Sequence, residues 1–328
     1  MSMKKVVMLC LLLVVMILGA CSSKEVQSVG ADYPQRPIEV IVPFAPGGST
    51  DIAGRILEKY LPTYLPDAQF VIVNKPGGSG TIALSDLYSS KPDGYTLALT
   101  THRALALQPL YGKTKYDHDS FQPIAKVFGN QQIFVVKADS PWNTFEEWLD
   151  YVKANPNSFT FGMSGGIGSG THLPMAELEL LADIKVKAVP FEGTPPAITA
   201  ILGGHVQGAI LQPSDAKTLI ESGELRALFN AGSTPVPYFP DIPLLADKGY
   251  DIAYDSNTSF IAPANVPQEI VDKLQTALKQ TLEDPEVIAE FEKVNLQIQY
   301  GTAADSQKEL DEENAKSEVI LKELKLID

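Results

Sequence analysis

Two glycine-rich turns hold the densest concentration of residues able to do chemistry. The first is Ile41-Val-Pro-Phe-Ala-Pro-Gly-Gly-Ser-Thr-Asp51, and the second is Phe161-Gly-Met-Ser-Gly-Gly-Ile-Gly-Ser-Gly-Thr-His172. Each follows an apolar run of strand character and precedes a run with helical spacing. A glycine turn feeding a helix leaves several backbone N–H groups unpaired, and the helix dipole adds positive potential at the same place. Such a turn can hold an anion without a side-chain cation. In the first turn Ser49 or Thr50 is positioned to N-cap the helix, and Asp51 falls in its first turn. An ordinary strand–turn–helix joint, with glycines there only for the turn, is the plain alternative for either stretch.

Three enzymatic readings of these glycines make different demands. A phosphate loop needs Gly-Lys-Ser/Thr, and neither turn has the lysine. The dinucleotide fingerprint needs G-x-G-x-x-G, whereas Gly166, Gly168 and Gly170 are spaced by two throughout. Gly162-Met-Ser164-Gly-Gly166 does fit the nucleophile elbow G-x-S-x-G, so a secreted serine hydrolase using Ser164 is the enzymatic rival. Its base would have to be His205, with Asp183 as the acid. The histidines His102, His118, His172 and His205 show no helical zinc spacing, so neither metal nor cofactor is expected. Arginine is scarce (Arg36, Arg55, Arg103 and Arg226), and Arg103 alone stands beside a candidate cleft loop. A bidentate clamp on a carboxylate is one reading of it, a surface residue at a strand end the other.

The hydrophobic pattern supplies the elements that must position these turns. Strand-like runs fall at 37–43, 69–74, 95–100, 132–137, 158–163, 185–190, 206–211, 226–231 and 259–262. Helical patterns fall at 51–63, 80–89, 144–154, 172–182, 194–203 and 215–222. This alternation predicts an α/β fold with mostly parallel sheets. A long amphipathic helix follows over 267–282, Asp284-Pro285 restarts it, and an acid-rich helix runs from Ser306 to Leu324. Two stretches have the look of domain crossings, Phe128 to Val136 and Tyr250 to Asn257. A paired crossing is the layout of a clamshell, one domain comprising 33–131 and 257–328 and the other 132–256. The two glycine turns then face each other across a cleft, at the carboxyl ends of strands where α/β sheets take their ligands.

Lys4 and Lys5 precede an apolar run from Val6 to Leu18, which is too short to span a bilayer but fits a signal-peptide core. Leu18-Gly-Ala-Cys21 resembles the bacterial lipobox, implying a signal over 1–20, lipidation at Cys21 and a polar tether over 21–32. Cys10 lies inside the signal, so the mature chain keeps Cys21 alone. Internal disulfides, cysteine nucleophiles and cysteine metal sites are excluded with it. The 328 residues, 45% of them hydrophobic and 20% charged, suit two globular domains. The net charge of −14 argues against nucleic acid or anionic lipid as a partner. An anionic ligand must be bound by local dipoles and few cations, against the overall field.

With these residues in view the chain resembles the extracytoplasmic solute receptors of the tripartite tricarboxylate transporter system, the Bug family. The resemblance rests on motifs in the family's order over essentially the whole mature chain. They are Pro43-Phe-Ala-Pro-Gly-Gly48 with Asp51, Val73-Asn-Lys-Pro-Gly-Gly78, Lys91-Pro-Asp-Gly-Tyr-Thr-Leu97, and the second glycine turn through Leu173. Val189-Pro-Phe-Glu-Gly193, Gly223-Glu-Leu-Arg-Ala-Leu228, Pro240-Asp-Ile-Pro-Leu244 and Ile261-Ala-Pro263 continue the series. The resemblance implies a type II-like periplasmic-binding-protein clamshell, without catalysis, that closes on a small carboxylate and hands it to integral-membrane transporter subunits. It implies a monomer anchored outside the cytoplasm by its lipid. A ligand sensor for a signalling partner would carry the same site. Carried over by position, ligand contacts come from Phe44, Gly47, Gly48 and Asp51 in the first turn. In the second they come from Ser164, Gly168, Ser169, Gly170 and Thr171. Thr101, His102, Glu192 and Asp215 stand where the far end of the ligand is read. The family has an aromatic or basic residue in its Pro-Tyr-Lys-Gly segment, where this chain has Phe191-Glu192. A Glu192 lining the cleft would disfavour a tricarboxylate and, with Asp215, suit an amine or a hydroxyl at that end.

Overall fold

The computed structural model describes residues 32–111, 114–164, 166 and 169–327. In chain order the first part gives β1 (Ile38–Val42), α1 (Ser49–Tyr64), β2 (Phe70–Asn74), α2 (Thr81–Tyr88), β3 (Thr96–Thr101), α3 (His102–Leu110) and β4 (Phe121–Asn130). The middle gives β5 (Ile133–Lys137), α4 (Phe145–Ala154), β6 (Thr160–Ser164), α5 (Leu173–Ala182), β7 (Lys187–Phe191), α6 (Thr194–Leu202), β8 (Gly208–Leu211), α7 (Pro213–Glu221) and β9 (Leu225–Asn230). The last part gives β10 (Ser256–Pro263), α8 (Gln268–Glu283), α9 (Pro285–Lys293), β11 (Ile298–Gly301) and α10 (Ala303–Glu323).

The strands form two sheets. One has the order β11-β4-β10-β3-β1-β2 and the other β7-β6-β8-β5-β9. The chain passes from the first to the second between β4 and β5 and returns between β9 and β10, which makes a two-domain α/β clamshell. The sheets are mixed rather than mostly parallel. β1 is parallel to β2 and β3, and β6 to β7 and β8. β10 runs antiparallel to β3 and β4, and β5 antiparallel to β8 and β9. The reversed strands are β5 and β10, the first after each crossing, together with the edge strand β11, which is antiparallel to β4.

Each sheet is buried by helices on its faces, so its strands read as continuous apolar runs. Phe134, Trp148, Phe159, Phe161 and Phe229 build an aromatic core on one face of the second sheet, with the Phe134 and Phe229 rings stacked 4.8 Å apart. Ile133, Val135, Ala209 and Leu211 meet α6 on the other face. In the first domain Ile41, Ala98 and Ile261 pack against α2 and α3. Helix starts follow familiar rules. Thr144 accepts the Glu147 N–H at the cap of α4, Asp284 caps α9 before Pro285, and Thr302 with Asp305 forms a capping box for α10. Helix α10 serves both domains, because Leu310 belongs to the first core while Ile320 and Leu321 enter the aromatic core of the second.

Candidate functional site

β1 ends at Val42, and the chain turns through Pro43 to Gly48 before α1 begins at Ser49. Gly48, not Ser49 or Thr50, stands at the N-cap, so the N-cap residue itself offers no side-chain cap. The first-turn N–H groups are therefore not satisfied from within the turn. Gly47 has φ +84°, a left-handed conformation that lets the turn double back. Its N–H donates to Asp51 Oδ2 at 2.8 Å. Asp51 is 2% exposed and lies behind the turn, gripped by Arg55 Nε at 3.1 Å, Arg55 Nη2 at 3.0 Å and Asn74 Nδ2 at 3.0 Å. Burial opposes its charge, but Arg55, the Gly47 amide and Asn74 together outweigh that and hold the carboxyl below its usual range. Asn74 also donates to Phe44 O at 3.1 Å, which ties the turn to the end of β2.

β6 delivers Ser164, and the second turn leads into α5. Thr171 Oγ1 donates to Ser164 O at 2.9 Å, and Ser169 O accepts the N–H groups of His172 and Leu173. Between the two turns lies a cavity of about 70 Å³ lined by both. It is room for roughly five water-sized positions, the scale of a small organic acid. Phe44, Gly48, Thr101, Ser164, Ser169, Gly170 and Thr171, all expected from the sequence, lie on its wall.

Other expected positions lie elsewhere. His102 is buried off the cavity, its Nε2 2.7 Å from Ser259 Oγ and 3.2 Å from Ser306 Oγ. Burial, aided by Lys126 and Arg103, lowers its pKa to about 3, so the ring is neutral. Glu192 is exposed; what it brings to the cleft is its carbonyl, which accepts the Ala45 N–H at 3.3 Å. Gly47 and Asp215 line an adjoining cavity of about 370 Å³ that shares Ser49 and Thr194 with the first. Asp215, from the second domain, bonds the Thr194 side chain and accepts the Ser49 N–H at the head of α1, and burial raises its pKa to about 7. Asp51 supports the turn rather than the cavity wall. Gly168 and Cys21 lie outside the described residues.

Several wall residues were not singled out as ligand contacts from the sequence. Ser49 and Thr50 come from the first turn itself. Ser79 is held at φ +56° so that its Oγ accepts the Gly166 N–H at 2.7 Å across the cleft. Its signal was the Asn-Lys-Pro-Gly-Gly motif just before it. Gln132 and Ser256 come from the two crossings, and nothing in the local pattern marks them. Arg103, 4% exposed, is the only ionisable side chain among the described residues lining the cavity, and no acid lines it. Its Nη2 donates to Asp255 O at 2.8 Å, its Nη1 lies 3.3 Å from Glu313, and its guanidinium sits 4.4 Å from the centre of the Tyr254 ring. A Cβ on Gly170 would fall 2.4 Å from Arg103 Cδ, so the arginine stem passes directly beneath the second turn. Among the described residues no histidine lines the cavity beside Ser164, and His205 is exposed after the Gly203-Gly204 turn.

Residues 59–326 match the sequence model of the tripartite tricarboxylate transporter family receptor. The chain is 35% identical over 273 residues to the UPF0065 protein in the gbd 5' region of Cupriavidus necator, covering 81% of each. Among solved structures it is similar to the periplasmic binding protein BugD, with a TM-score of 0.83 and 27% identity over 89% of this chain and 98% of that one. It is equally similar to R. palustris Rpa4515 with adipate, at a TM-score of 0.83 and 27% identity, again covering 89% and 98%.

Proposed function

The chain belongs to the tripartite tricarboxylate transporter receptor family, and from that membership we propose that it captures a small organic carboxylate outside the cytoplasm and delivers it to a membrane transporter. The observation that carries the reading is the wall of the inter-domain cavity. It combines two turns rich in backbone N–H and hydroxyl donors with, among the described residues, one arginine and no acid. That set of donors favours an anion and gives a cation nothing to pair with. In the similar Rpa4515 structure the bound molecule is adipate.

On this reading Phe44, Gly48, Ser49 and Thr50 from one turn and Ser164, Ser169, Gly170 and Thr171 from the other surround the carboxylate. Gly168 belongs with them by position. The domains are 33–131 with 257–328, and 132–256, hinged at the two crossings. Cys21 carries a lipid after removal of residues 1–20, and the mature receptor works as a monomer without catalysing a reaction. Metabolic labelling with a fatty acid, lost in Cys21→Ala, tests the anchor.

A thermal-shift screen over mono-, di- and tricarboxylates tests the central claim. A ligand at a hundred times its Kd adds about 2.7 kcal/mol to stability, which is several degrees in Tm. No shift with any carboxylate would overturn the reading. Uptake of the identified acid should fall when the gene is deleted.

A further inference from the structure

The cavity wall specifies more than the charge of its ligand. Gln132 lies in the short link between β4 and β5, 3% exposed, and its carbonyl accepts the Ala231 N–H at 2.7 Å, which pins the link. Gln132 lines the cavity, and its side-chain Oε1 is buried without a hydrogen-bond partner. A buried acceptor in that state is unfavourable until something donates to it. We infer that Gln132 reads a hydroxyl on the ligand, so that the acid taken up here is a hydroxycarboxylate. The inference rests on the carboxylate reading above and narrows it.

An ammonium group would also donate to Gln132, but it is a poor fit to this wall. Among the described residues, the only charged side chain lining the cavity is the Arg103 cation. The acids expected near the ligand's far end lie off it, Glu192 exposed and Asp215 on the adjoining cavity. A buried ammonium without a counter-charge is strongly disfavoured. A hydroxyl supplies the missing proton and brings no charge. An acid with no donor at that carbon leaves Oε1 unpaired in the closed site, and an unpaired group of that kind gives polar sites their largest discrimination against an analogue.

Matched trios that differ only at one carbon test the inference by calorimetric titration of the mature receptor. They are propionate, lactate and alanine; succinate, malate and aspartate; glutarate, 2-hydroxyglutarate and glutamate. In at least one trio the hydroxy acid should bind about tenfold or more tightly than both partners. Gln132→Leu should bring hydroxy acid and unsubstituted parent to within about twofold, since neither then satisfies or offends the wall. Gln132→Glu, of nearly the same shape, should move the preference to the amino acid by supplying a counter-charge; it decides the matter should the leucine variant fail to fold. A parent or amino acid that binds as tightly as its hydroxy partner, or a hydroxyl preference that survives in Gln132→Leu, would overturn the inference alone. No binding by any member of the three trios would overturn the inference, and the carboxylate reading falls with it only if the wider carboxylate screen is also blank.

Discussion

Asp51 keeps a negative charge at the edge of a site built for an anion because its lone pairs are already occupied. The Gly47 amide, both Arg55 contacts and Asn74 fix the turn through it. Asp51→Ala leaves those donors unpaired and should lower stability by about 2 kcal/mol, read by urea denaturation, with weaker ligand binding alongside. Asp51→Asn keeps an acceptor for Gly47 and should lose less. Its depressed pKa means that this stabilisation is present above the ordinary carboxylate range and fades as pH falls through it. Asp215 has the opposite sign. Its pKa of about 7 comes from burial between the domains, against the lowering effect of the Thr194 and Ser49 hydrogen bonds. With the domains apart it reverts toward an ordinary carboxyl. Closure therefore takes up a proton near neutrality, and ligand affinity should rise about tenfold from pH 8 to pH 6. Calorimetry across that range should show the rise in wild type and a flat profile in Asp215→Asn. An equal slope in both proteins would refute the assignment.

Among the connecting segments, the start of α6 controls how closely the domains approach. A Cβ on Gly193 would sit 2.9 Å from Ala45 Cβ and 3.1 Å from Ala45 N, across the cleft. The Gly193 backbone is extended, so alanine is tolerated within its own domain. Gly193→Ala should leave the ligand-free Tm within about a degree and weaken binding tenfold or more, by obstructing closure alone. At the same scale, some elements were legible in the sequence and others were not. β1, α1, β6 and α5 stood out because a buried strand and an amphipathic helix flank each glycine turn. α3 was read as a strand-end loop for three reasons. It starts at His102 with no linker after β3, its cap is Thr101 accepting the Ala104 N–H, and its burial on nearly all sides over His102–Leu107 erases helical periodicity. β4 was missed over most of its length, broken in appearance by Pro123, and β11 is a short edge strand. Strand direction does not appear in periodicity at all, which is why the antiparallel β5 and β10 came as a correction. Site residues followed the same division. Those in the turns were visible, as was Arg103 beside its cleft loop, whereas Gln132 and Ser256 reach the cavity through the approach of distant segments.

For the molecule as a whole, a net charge of −14 surrounds a site for an anion. Long-range repulsion slows encounter, so the association rate should increase with ionic strength, a trend that stopped-flow titration between low and physiological salt can read. Helix α10 is anchored at Leu310 in one core and at Ile320 and Leu321 in the other, with Leu324 and Ile327 packed beside the second. A rod fixed at both ends, together with two strand crossings, leaves the domains little more than one rotation. An open receptor built this way should sample a narrow arc of arrangements rather than a broad ensemble. Closing it orders few degrees of freedom, so most of the binding free energy of even a small ligand survives as measured affinity. On that expectation, a small ligand can close a protein of this size because the fold itself limits the disorder the ligand would have to overcome.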